Sequence, residues 1–71
     1  MSDSVYRVTE VIGVSEDSWE AAAQNAVVTA ARTIRDLRVA EATRFDVTVE
    51  NGSVSSYRVR LGLSFKYEAG D

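Results

Sequence analysis

The stretch "FDVTVENGSVSSYRVRLGLSFKYE", Phe45 to Glu68, alternates apolar and polar residues on both sides of Asn51-Gly52. Alternation with period two marks a strand with one buried face. Asn-Gly between two such runs is a strong hairpin signal. The segment predicts two antiparallel strands, from about Arg38 to Glu50 and from Ser53 to Tyr67. On the second strand Tyr57, Val59, Leu61, Leu63, Phe65 and Tyr67 share one face, and Arg58, Arg60, Gly62, Ser64 and Lys66 share the other. A two-residue Asn51-Gly52 turn would pair residues whose numbers sum to 103, setting Phe45 against Arg58 and Asp46 against Tyr57. A three-residue loop, Glu50 to Gly52, lowers the sum to 102. It sets Phe45 against Tyr57, Thr43 against Val59 and Val39 against Leu63. Apolar then meets apolar, so this register is preferred, with Gly52 left-handed in a bulge turn. It also puts Arg44 directly opposite Arg58, which is unfavourable unless an acid or anion intervenes, with Asp46 as a diagonal neighbour.

Upstream, "SVYRVTEVIGVS" is rich in β-branched residues and predicts a strand over Tyr6–Ile12, punctuated by Gly13. "SEDSWEAAAQ" carries helix-start signals. Ser15 or Asp17 can cap free N–H groups, and Asp17 with Glu20 resembles a capping box. Glu16, Asp17 and Glu20 suit the positive end of a helix dipole. A helix to about Asp36 places Trp19, Ala22, Ala23, Ala26, Ala30, Thr33, Ile34 and Leu37 on one stripe, with Trp19 read as core. Arg32 and Arg35 fall in its last turns. The chain is thus one α+β domain over residues 1–71, in β-α-β-β order, without linker or repeat.

Its lengths do not match. A helix of about 19 residues spans roughly 28 Å, whereas 15 strand residues span roughly 50 Å. One helix cannot cover such strands. With 45% apolar residues and no cysteine or histidine, neither a disulfide nor a cysteine–histidine metal site can make up the missing burial. Self-association is the remaining source, most simply with copies of the same chain.

Composition also narrows the function. Eleven acidic and eight basic side chains give a net charge of −3, which disfavours nucleic acid as a partner. No apolar run approaches a membrane span, and "MSDSVYRV" has no signal-peptide pattern, so the expected compartment is the cytoplasm. The sequon at Asn51–Ser53 is read as the hairpin turn. Without histidine or cysteine, the commonest general base and the thiol nucleophile are missing, and no phosphate loop or EF-hand pattern is present. The expectation is a protein without catalytic residues. Glu10, Glu41, Asp46 and Glu50 are candidate oxygen ligands for a hard cation, Asp46 foremost; an oligomer axis could gather copies of one carboxylate.

"VYRVTEVIGVSEDSWEAA", "ARTIRDLRVAE" and "SYRVRLGLSF" together resemble the dodecins over nearly the whole chain, in length, order and spacing. The resemblance implies a three-stranded antiparallel sheet partly wrapped around one helix, with the first strand paired to the third. It also implies a hollow homododecamer that sequesters flavin without turnover. The family's flavin site uses a tryptophan just after the helix and a glutamine on the last strand. Alignment puts Val39 and Arg58 at those positions. Val39 has no π face to stack on a flavin ring. Arg58 donates hydrogen bonds only, whereas glutamine also accepts.

"IRDLRVAE", with Val39 after Arg38, resembles calcium-associated members of the family. This implies a dodecamer that binds or buffers cations. Twelve copies at −3 each carry −36, a field that concentrates cations. Two other readings stand beside it. One is a flavin store with an altered pocket, in which Arg58 and Arg44 meet the phosphate of FMN in preference to riboflavin. The other is a purely structural assembly whose charges pair between subunits.

Overall fold

A computed structural model describes residues 5–66. The elements are β1 (Tyr6–Ser15), α1 (Trp19–Ala30), β2 (Leu37–Glu50) and β3 (Ser53–Lys66). The sheet order is β1-β3-β2, with both outer strands antiparallel to β3. This is the expected α+β architecture of three antiparallel strands and one helix. The expected strand end at Tyr67 lies outside the described residues.

β1 runs three residues past Ile12, through Gly13 to Ser15. Gly13 is therefore not a terminator. A Cβ there would lie 2.0 Å from the Ala22 carbonyl oxygen and 3.0 Å from the Ala26 Cβ. Its role is to let α1 approach the sheet. The alanine stripe serves the same end: Ala22 is fully buried against Val59, Leu61 and Leu63, with Ala23, Ala26 and Ala30 around them.

The cap of α1 is Ser18, whose Oγ accepts from Ala21 N at 3.0 Å. Ser15 and Asp17, expected as caps, instead shape the preceding turn, where Asp17 N donates to Ser15 Oγ at 2.9 Å. The helix ends at Ala30, not near Asp36. Arg32 and Thr33 donate to carbonyls three residues back in a tighter winding. Asp36 then takes a left-handed conformation at φ 57°. β-branched Thr33 and Ile34 favour helix weakly, and the turn brings Ile34 and Leu37 onto the core. Arg32 and Arg35 lie beyond the helix.

The hairpin register differs from the expected one. Asn51 and Gly52 both have positive φ, 52° and 78°, so the turn is the two-residue primed form. Glu50 pairs with Ser53 and Val49 with Val54. A register shift between Thr48 and Val49 then places Phe45 opposite Val59, Asp46 opposite Arg58 and Arg44 opposite Arg60. A second shift, between Ala42 and Arg44, turns Ala42 and Ala40 towards Leu61 and Leu63. Val39 consequently faces Ser64 instead of Leu63 and lies on the face away from α1. The expected clash between Arg44 and Arg58 does not occur; Arg44 meets Arg60. Simple alternation missed this because each bulge exchanges the two faces.

The mismatch between helix and strands is larger than expected. Twelve helical residues span roughly 18 Å, whereas the molecule is 54 Å long. Phe45 is 57% exposed and Val49 62%, although both belong to the apolar pattern.

Candidate ligand-binding face

The sheet face away from α1 is a ladder of cross-strand rows centred on β3. Val14, Arg58 and Asp46 form one row. Ile12, Arg60 and Arg44 form the next. Glu10 and Glu41 flank Gly62 in the third, and Val8 and Val39 flank Ser64 in the fourth. All sequence candidates except Glu50 stand on this ladder. Glu50 sits at the hairpin end opposite Ser53.

Asp46 and Arg58 make the closest ion pair of the face. Arg58 Nε donates to Oδ1 at 2.7 Å and Nη2 donates to Oδ2 at 3.0 Å. Such a two-pronged pair fixes both side chains. The Arg58 hydrogen bonds hold the Asp46 carboxyl below the usual carboxylate range; partial desolvation opposes them, and the fields of Arg58, Arg44 and Arg60 add to the lowering. In return, the Asp46 hydrogen bond raises the Arg58 guanidinium. The backbone of Asp46 is engaged as well, since its carbonyl accepts from Trp19 Nε1 at 3.1 Å. Trp19 in turn packs edge-on against Phe45 and Tyr57, at centroid distances of 5.9 and 5.2 Å. Trp19 is thus a structural residue that joins the helix start to the hairpin, although it is 39% exposed in the single chain.

The candidate cation ligands are not gathered. Among the described residues no group of three or more acidic side chains can hold a metal ion. Glu10 and Glu41 share a row, but Asp46 lies four β3 residues away and both its oxygens are taken by Arg58. The proposed flavin positions are apart too. Val39 lies opposite Ser64, six β3 residues from Arg58, or about 20 Å of strand. A ring on Val39 cannot reach Arg58 of the same chain. Alternation revealed the charged face but not the facing of Arg44 and Arg60, which depends on the bulges.

The dodecin family model matches residues 5–68. The chain belongs to the dodecin family. Among curated relatives, the calcium dodecin of Mycobacterium tuberculosis is 43% identical over 63 residues, 89% of each chain. A dodecin of Thermus thermophilus is 36% identical over 64 residues, 90% of this chain and 93% of that one. The solved dodecin of Streptomyces coelicolor superposes with a TM-score of 0.90 at 41% identity, covering 99% of this chain and 100% of that one. The solved calcium dodecin of M. tuberculosis, described as calcium-chelating with a novel calcium-binding site, gives 0.81 at 40% identity, covering 96% and 97%. Among the described residues no helix is long and apolar enough to cross a membrane.

Proposed function

We propose that this dodecin forms a non-catalytic homododecamer that binds or buffers a cation of the calcium type, with weak or no flavin binding. The observation that carries this reading is the state of the two flavin positions. Val39 offers a branched aliphatic side chain, and Arg58 Nε and Nη2 are committed to Asp46. A flavin edge would meet only the donors left on Nη1 and Nη2 and would find no acceptor on Arg58. The 43% identity with a calcium dodecin supports the choice of cation. Because no acidic cluster forms among the described residues of one chain, the cation site in this reading is completed by other copies. Glu10 and Glu41, which flank Gly62 from the two outer strands, are better placed than Asp46, whose carboxylate is occupied.

The test is a pair of titrations on metal-stripped protein. Calcium calorimetry is expected to give saturable binding with a fixed number of ions per chain. Riboflavin and FMN fluorescence titrations are expected to show quenching only well above the micromolar range. Micromolar flavin quenching without calcium heat would reverse the assignment and restore the flavin store.

A further inference from the structure

We propose that Arg44 and Arg60 form a binding site for a phosphoryl oxyanion on the sheet face away from α1. The two arginines are directly opposed across β2 and β3. Like charges in that position repel, and nothing in the hairpin's own economy requires it. Without the shift between Thr48 and Val49, the turn's register would carry Arg44 to Val59 and Asp46 to Tyr57. The shift there and the one between Ala42 and Arg44 bracket the only part of the hairpin where charge faces charge. Bulges concentrate where a fold re-aims side chains for a purpose. Thr43, at the second shift, donates its hydroxyl to the Arg60 carbonyl at 3.2 Å, fixing the arginine row from the β2 side.

The adjacent rows carry Asp46 on one side and Glu10 and Glu41 on the other, and the fields of Arg44 and Arg60 reach Asp46, but none of these carboxylates makes a hydrogen bond to either arginine. Arg58 is neutralised by Asp46 through both oxygens. Among the described residues Arg60 makes one ion pair, with Glu10 at 3.8 Å, beyond hydrogen-bonding distance. Arg44 makes no ion pair with any described residue. From β1 the row receives Ile12, which contributes no charge. Two guanidinium forks on one row match the tetrahedral oxygens of a phosphate group, each able to donate twice. The site stands on a chain of net charge −3. It rests on the sheet geometry alone and is independent of the calcium reading.

The experiment uses the intact protein in phosphate-free buffer at fixed ionic strength. Inorganic phosphate and glycerol 3-phosphate are titrated separately by calorimetry and thermal shift. Binding of either is expected, the tighter one identifying free phosphate or a phosphomonoester as the source. Arg44→Gln and Arg60→Gln are each expected to weaken it roughly ten- to a hundredfold. Arg44→Gln is also expected to raise the thermal midpoint without phosphate, since it relieves the repulsion. No binding of either anion, or equal binding in the variants, overturns the proposal. So does a lower midpoint or loss of assembly in Arg44→Gln without phosphate, because Arg44 would then be holding a carboxylate of another copy.

Discussion

Asp46 does two things through one residue. Its carboxylate holds Arg58, and its carbonyl accepts the Trp19 indole hydrogen. Its lowered pKa fixes a pH dependence. The contribution is fully present above the unfolded carboxyl's value, about 4, and is lost as pH falls through the lower folded value. Asp46→Asn is therefore expected to lower the thermal midpoint by a constant amount between about pH 5 and 7. The difference from the parent should shrink steadily below about pH 4. A difference that persists unchanged at low pH would show that the ion pair contributes nothing. Gly13 offers a second residue-scale test. Gly13→Ala drives a Cβ into the Ala22 carbonyl and is expected to cost about 1–3 kcal/mol in denaturant unfolding. The need for a small residue at Gly13 was not legible beforehand, because a strand-ending glycine and one under a helix look alike in sequence.

At the scale of elements, the existence and order of three strands and a helix were legible from alternation and from the polar and acidic helix-start stretch Ser15–Glu20, although the capping residue, Ser18, was not singled out. Boundaries and register were not. The helix end depends on the left-handed Asp36, and no glycine marks it. The register depends on two bulges, and a bulge leaves alternation intact on either side while exchanging the faces. Arg44, Asp46 and Arg58 were therefore assigned to the right face but given the wrong partners. The turn itself follows the Asn-Gly rule that the preferred three-residue loop had set aside. Gly52→Ala places a Cβ at φ 78° in open space. It is expected to destabilise by about 1–2 kcal/mol through backbone strain alone, readable as a lower denaturant midpoint with unchanged m-value. Asn51→Gly is expected to be tolerated at that site.

At the scale of the whole molecule, one chain leaves apolar sheet surface uncovered. Strands of 14 residues extend past a 12-residue helix, and Val39, Phe45, Val49 and Val54 remain more than half exposed. That the strands outreach the helix was legible from their lengths; which residues would meet which copies in the proposed assembly was not, since one chain's pattern carries no information about rotation axes. Phe45→Lys is expected to shift the protein to smaller species in sedimentation, because it puts a charge on exposed apolar surface that assembly would bury. Val39→Trp probes the ligand side: a family-type flavin pocket that lacks only its ring should gain several-fold to about tenfold in riboflavin affinity. No gain would mean that the pocket is gone. The measurement to make first is native mass spectrometry of metal-stripped protein titrated with calcium. The expected result is one species of twelve 7.8 kDa chains, about 94 kDa, taking up calcium in a stoichiometric step. A monomer or dimer, or a twelve-chain species that takes up no calcium, would contradict the proposed function.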